Sequence, residues 1–480
     1  MPLRPVIAAL MILLSLAVLE VARHGVEITR FDVGQTPVTA YQRADADGPV
    51  VVMAHGFAGS QQMMQGYALP LARAGYRVHV FDFLGHGRHP VPMSGDVTAE
   101  DGTTQLLVAQ VGQVIDAVAT GEGPVALLGH SMATDVLVRV AAARSDIGPL
   151  VLLSAFSREI TAEAPADLLI VTGAWEPGLR DFAVETLRMR DPETEAGETV
   201  AQGDDIRRAV IAPYSEHVSI LHSRVGRQAA LDWLNHVFGR STETAMRPTG
   251  WAILGLLAGL VLSFRPLSRL LPENPLPAGR LTRGQVALAV AAPTLLAPLV
   301  AAPLEIAVLP VLVADYLALH MALFGAVQLA VLRACGVSLG RLSWPALGLL
   351  LLACAVFGFS LDRHAANFWP TPERLWIIAA VALGAVPCML ADATLTLRLS
   401  AVGRLLARAG FLASLGIAVA LDFEGLFFLI MIAPVLVLFY LVFGTMGRHA
   451  ARRTGPLAPG LALGLVLAWA LGVSFPLFQA

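Results

Sequence analysis

The sequence predicts two architectures in tandem: a mostly parallel α/β sheet, then an all-α bundle of transmembrane helices. Three observations predict it. Of 480 residues, 56% are hydrophobic and only 14% charged, with a mean hydropathy of +0.67, whereas soluble globular chains carry about 25% charge. Short β-branched runs alternate with segments of helical spacing across residues 23–247. From Trp251 onward the chain becomes a succession of apolar segments of roughly bilayer length. Charge divides in the same way, with 18 Arg against 27 acidic residues in 23–247 and 14 Arg against 8 in 248–480. This composition excludes intrinsic disorder and a collagen-like repeat, and three Cys exclude a disulfide scaffold. No basic stripe marks a nucleic-acid partner.

The first element is the apolar run Pro5–Ala22, which follows Arg4. Glu20-Val21-Ala22 makes a poor cleavage site, so residues 1–22 read as a transmembrane anchor rather than a removed signal. Next come Val50–Met53, Arg77–Phe81, Val125–Leu128, Leu150–Leu153 and Leu168–Val171, continuous apolar runs separated by helical spacing. Such runs belong to parallel strands covered on both faces. Residues 23–240 are long enough for one α/β domain with its own core, and the polar stretch 241–249 reads as a linker.

The polytopic region, 250–480, holds eight candidate spans: 250–264, 285–302, 311–332, 344–361, 375–395, 405–421, 426–446 and 457–478. Arg residues assign their sidedness, because positively charged loops stay cytoplasmic. Alternate loops carry Arg265, Arg269, Arg280, Arg283, Arg333, Arg341, Arg398, Arg404, Arg408, Arg448, Arg452 and Arg453. The intervening loops carry only Arg363 and Arg374, with Glu305, Asp362, Glu373, Asp422 and Glu424. The expectation is a multi-pass inner-membrane protein with its α/β domain on the periplasmic or extracellular side. Asp315, His320 and Asp392 fall within spans, where ionisable groups are functional suspects; their places near span ends favour structural roles.

Four motifs carry the chemistry. In Val125–Thr134 an apolar strand enters a turn with Ser131 at its apex, flanked by Gly129 and Ala133, and a helix follows. Small residues two positions either side let strand and helix pack closely around an exposed nucleophile. Upstream, a strand ends in His55-Gly56-Phe57, whose loop N–H groups can face a developing oxyanion. Downstream, Leu168–Val171 leads into Gly173-Ala174-Trp175-Glu176, a strand followed by a turn presenting a carboxylate. Last, His217 opens a loop before a helix ending near Trp233. Ser131, Glu176 and His217 thus follow the order nucleophile, acid, base. Asp181 remains a rival acid and His222 a rival base. Hydrogen bonds within turns account for His55, His86 and His130. No metal-ligand spacing occurs, and no cofactor is expected.

Residues from about 25 to 240 resemble an α/β-hydrolase, and Asp82-Phe83-Leu84-Gly85-His86-Gly87 resembles a turn common in that family. Two positions depart from the pattern, Ala133 for the usual Gly and Glu176 for the usual Asp. In the acyl-transfer chemistry expected of such a triad, Ser131 attacks a carbonyl, His217 moves its proton, and Glu176 orients the imidazole. The backbone N–H groups of Phe57 and Met132 would form the oxyanion hole. The expected activity is hydrolysis of a carboxylic ester or thioester through an acyl-enzyme. An acyltransferase using the same triad, and a transporter or scaffold with an accessory hydrolase domain, are the alternatives.

The connection Ala155–Ala166 is too short for a helical cap, so the Ser131 mouth is expected to be open unless another segment covers it. Phe57, Phe83 and Leu84 are expected to form an apolar rim. Together with tethers at both ends of the domain, this favours a lipid or other membrane-associated acyl substrate.

Overall fold

The computed structural model describes residues 3–95, 100–119, 121, 123–274, 281–304 and 306–479. Arg280 and Glu305 of the sidedness pattern lie outside the described residues. The chain opens with helix α1 (Leu3–Arg23), then enters a nine-stranded sheet. Its strands are β1 (Glu27–Val33), β2 (Thr36–Gln42), β3 (Val50–Ala54), β4 (Arg77–Phe81), β5 (Val125–His130), β6 (Ile147–Leu153), β7 (Leu168–Gly173), β8 (Thr199–Gln202) and β9 (Asp205–Ala212). Their spatial order is β1-β2-β4-β3-β5-β6-β7-β9-β8. Strands β4, β3, β5, β6, β7 and β9 run parallel, while β1, β2 and β8 are antiparallel additions.

The five apolar runs are the middle of this sheet. All five residues of β3 are buried, because successive side chains point to opposite faces and both faces are covered. Val50, Val52 and Ala54 pack with α3 (Gln105–Val118), α4 (Met132–Ala143) and α5 (Pro177–Arg188). Val51 and Met53 pack with α2 (Gln65–Arg73) and α6 (Arg224–Val237). The four strands not foreseen, β1, β2, β8 and β9, are polar or mixed. Most of β1 and β8 is exposed, and their positions are set by cross-strand pairing rather than by an apolar run.

Residues 241–248, without regular structure, lead into α7 (Thr249–Leu267). There follow α8 (Arg283–Ala301), α9 (Ala314–Ala334), α10 (Trp344–His364), α11 (Pro372–Thr396), α12 (Ala401–Leu421), the single turn α13 (Phe423–Leu426), α14 (Leu429–Thr454) and α15 (Leu457–Ser474). Among the described residues, nine helices are long and apolar enough to cross a membrane, α1 included. They pack through small residues: a Cβ at Gly259 of α7 would fall 2.8 Å from Ile12 of α1, the close approach that small residues permit between long apolar helices.

The last span was expected to reach 478, but α15 ends at Ser474 and the tail turns back to the sheet region. Leu477 N–H donates to Gly85 O (2.9 Å), Met93 N–H to Leu477 O (2.8 Å) and Gln479 N–H to Met93 O (2.7 Å). Arg374, fully buried at the start of α11, holds this return by donating to Gly85 O (2.8 Å), Gly472 O (3.1 Å) and Phe475 O (2.5 Å). Arg88 donates from Nη2 to both carboxylate oxygens of Asp362 near the end of α10 (2.7 and 2.8 Å).

Candidate active site

Ser131 directly follows β5 and precedes α4, with φ 53° and ψ −120°. A non-glycine residue rarely holds a positive φ, and here the conformation lifts the hydroxyl clear of the strand end. The two flanking small residues make the turn possible. A Cβ at Gly129 would fall 2.7 Å from Leu137 Cδ1 and 3.3 Å from Ala133 Cβ. Ala133 is itself fully buried, so the extra methyl relative to Gly fits.

His217, in the loop after β9, is brought to Ser131 by the β7–β9 pairing. Its Nε2 lies 2.7 Å from Ser131 Oγ and its Nδ1 2.6 Å from Glu176 Oε1. An ionised carboxylate only accepts, so Nδ1 carries the proton and Nε2 is free to accept one from Ser131. The other Glu176 oxygen accepts from Ser154 Oγ (2.7 Å) and Gly173 N–H (2.8 Å). Burial by itself raises the Glu176 pKa, but the hydrogen bonds from His217, Ser154 and Gly173 outweigh it and hold the carboxyl below its usual range.

Of the two rivals, Asp181 is an exposed residue of α5. His222 is shut away: a Cβ at Gly250 would fall 2.7 Å from its Cβ, and burial lowers its pKa to about 4. Of the two residues expected to supply oxyanion N–H groups, one adjoins Ser131 and the other adjoins a residue packed against it. Met132 is the first residue of α4, where backbone N–H groups have no partner in the helix ladder. Gly56, next to Phe57, passes so close that a Cβ there would lie 2.9 Å from Ser131 Cβ.

Two contributors were not anticipated. Ser154 directly follows β6 with φ 50° and fixes the second oxygen of Glu176. His130, expected to bond within its own turn, instead donates from Nε2 to the backbone carbonyl of His217 (2.7 Å), because the loop after β9 passes over the end of β5. Burial first, and the neighbouring His217 second, lower its pKa to about 4, so its ring is neutral. The only hint for Ser154 was its place at the end of a buried strand. His55 and His86 do bond within their turns, from Nδ1 to Gly56 O and Leu84 O respectively (both 2.8 Å). Among the described residues, no three His, Cys, Asp or Glu side chains group closely enough to hold a metal ion.

The mouth differs from expectation on one side. Phe83 is fully buried rather than rim-lining: its N–H donates to His55 Nε2 (3.2 Å) and its ring packs on His55 and Phe81. No helix forms in Ala155–Ala166, as its length required. The helical region reaches the site instead, with Phe428 and Phe478 set 5.9 and 6.4 Å from the Phe57 ring.

Residues 49–185 match a family model described as the alpha/beta hydrolase fold. No curated protein matches the chain. Among solved structures, a Vigna radiata epoxide hydrolase mutant is 23% identical over 28% of this chain and 40% of its own, with a TM-score of 0.23. A dienelactone hydrolase from Anabaena variabilis is 17% identical over 45% of this chain and all of its own, with a TM-score of 0.33. A serine hydrolase involved in carbazole degradation is 17% identical over 44% and 99%, also at 0.33. This chain spans about two fifths of the Vigna radiata protein's length. The N-terminal region therefore has an α/β-hydrolase fold built on a mostly parallel sheet, and a helical region rich in long apolar helices follows it.

Proposed function

We propose that this protein is a membrane-anchored serine hydrolase that cleaves carboxylic ester or thioester bonds, with a lipidic or membrane-associated substrate. The observation that carries the reading is the continuous chain from Ser131 Oγ through His217 to Glu176, with a hydrogen bond at each link. Ser131 Oγ attacks the carbonyl carbon while His217 Nε2 takes its proton. Glu176 steadies the resulting imidazolium, and the oxyanion is received by the N–H groups of Phe57 and Met132, each such donor contributing about 10²–10³ in rate. Collapse expels the alcohol or thiol, which recovers the proton from His217 and leaves an acyl-Ser131. Water, deprotonated by the same imidazole, then attacks the acyl carbon and frees the acid.

The Arg pattern supports the periplasmic or extracellular face for this chemistry. Both Arg residues on the hydrolase-facing loops have structural engagements, Arg363 with Glu20 (2.8 Å) and Arg374 with three carbonyls. The test is labelling with a membrane-impermeant fluorophosphonate probe in spheroplasts. Wild-type protein should label without lysis and the Ser131→Ala variant should not. Labelling of the variant overturns the nucleophile, and labelling only after lysis overturns the sidedness.

A further inference from the structure

We infer that Phe156, Trp175, Tyr214 and Val218 form a membrane-contact rim that seats in the surface of a phospholipid bilayer, so that an acyl substrate enters the Ser131 site from lipid. This rests on the hydrolase reading above and adds the surface through which substrate arrives.

The carboxyl edge of the sheet faces the helical region. The loop after β3 meets it at Ser60, whose Oγ accepts from Asn367 N–H (3.0 Å), and at Phe57. The loop after β4 meets it at Gly85, Arg88 and Met93. Beyond β9, Arg227 of α6 donates to Thr249 at the start of α7 (3.4 Å). The contacted groups on the other side lie at or beside helix ends: Thr249, Asp362, Arg374 and the tail after Ser474. These ends mark where the spans leave the apolar layer, so the nucleophile edge of the sheet looks toward the membrane surface.

Beside these docked loops, the loops after β6, β7 and β9 carry large apolar side chains that stay exposed. Phe156 follows β6, Trp175 follows β7, and Tyr214 and Val218 follow β9. They are 53, 64, 83 and 51% exposed. The fold gathers them around the triad: Trp175 N–H donates to Ser215 O (3.0 Å), Val218 adjoins His217, and Trp175 adjoins Glu176. Tyr214 is held at φ 54°, a strained conformation for a bulky residue, and its ring projects almost fully into the open. Glu216, the acid among them, turns its carboxylate back onto the N–H groups of Val218 and Ser219 (3.0 and 2.7 Å). Large rings left in water gain nothing for the fold. Trp and Tyr combine an apolar body with a polar edge, and they concentrate at membrane–water interfaces. A bilayer is the partner these residues fit, because the rim shares an edge with loops already docked on membrane-helix ends.

The test uses the full chain in phosphatidylcholine vesicles, with Cys335, Cys354 and Cys388 replaced by Ala. A nitroxide is attached at Tyr214→Cys, at Phe156→Cys in a second variant, and at Ser145→Cys as a control at the opposite end of the sheet. Both rim labels should collide less with a water-soluble nickel chelate and more with oxygen than the control label. Equal collision rates at rim and control overturn the inference. In a Trp175→Ser/Tyr214→Ser variant, turnover of a long-chain ester in vesicles should fall about tenfold relative to a short soluble ester. An unchanged ratio overturns substrate entry through the rim. Failure of Ser131 to label with fluorophosphonate would instead remove the hydrolase reading and leave the collision result standing.

Discussion

The sheet region and the helical region both bury ionisable side chains, but they use them differently. Around Ser131 the polar groups form a chain with a reactive end: Glu176 is held by three donors, His217 by Glu176, and the chain terminates in a hydroxyl at an open mouth. Between the helices the polar groups close on one another. Asp392 pairs with Arg408 through two bonds (2.9 and 3.1 Å), and Arg408 stacks on Tyr440 at 4.4 Å. His320 is fully buried, with Tyr316 on one nitrogen and Ser414 on the other (both 3.0 Å). The difference teaches that an ionisable residue within a long apolar helix is a suspect only until its bonds are counted. Satisfied on every side, it acts as an interhelical tie; one atom left over, as at Ser131 Oγ, makes it a candidate for chemistry.

The contrast breaks most visibly in turnover. Ser131→Ala and His217→Ala should each lower ester hydrolysis by roughly 10⁴–10⁶ with no change in thermal midpoint, as triad members act as a unit. Glu176→Gln should cost about 10³–10⁴ and Asp181→Asn almost nothing. If His320→Phe proves as damaging as Ser131→Ala in a fully folded protein, the two regions are not different in kind.

A smaller effect sharpens the other half. Asp392→Asn takes the opposing charge from the half-buried Arg408 and leaves it only an amide oxygen, so it should destabilise the protein by about 1–3 kcal/mol. Turnover per folded molecule should be retained. Replacing both residues, as Asp392→Leu with Arg408→Met, should recover most of the loss. Thermal unfolding in detergent beside rate measurements reads both quantities, and a selective loss of rate would give the pair a role in catalysis.

The smallest effect is in pH. Burial holds His130 and His222 at about 4, below the 6.5 of an exposed imidazole. The unfolded chain therefore binds more protons below 6.5, and the stability these residues carry is lost as pH falls from 6.5 toward 4. Each contributes at most about 3 kcal/mol. Glu176, held below its usual range, adds a loss in the same direction at lower pH. The midpoint measured against pH should fall less steeply in His222→Asn than in wild type; identical slopes would mean that His222 is protonated in the fold.

Much of the site was legible because its signals are local. The Gly129-His130-Ser131-Met132-Ala133 turn, the His55-Gly56 strand end and the order Ser131, Glu176, His217 can all be read along the chain. The central strands were equally plain, since burial on both faces demands continuous apolar residues. Strands β1, β2, β8 and β9 were not, because polar strands at the sheet margins are held by neighbours that no local pattern names. Phe83 misled for a related reason: a large apolar residue in a loop near the mouth looks like rim until its N–H is seen donating to His55.

What the sequence by itself determined was which segments could cross a membrane, which runs could fill a covered sheet, and which residue types stood at the strand ends. Those are consequences of period, length and steric size, and they act over a few residues. Only the tertiary structure decided that Glu176 rather than Asp181 meets His217, that Ser154 anchors the carboxylate, and that the tail after Ser474 returns to Gly85 and Met93. It also decided that Phe156, Trp175 and Tyr214, far apart in the chain, share one exposed edge. Each depends on strand order and register, which bring distant residues within bonding distance. A hydrogen bond or an apolar contact acts only at that range.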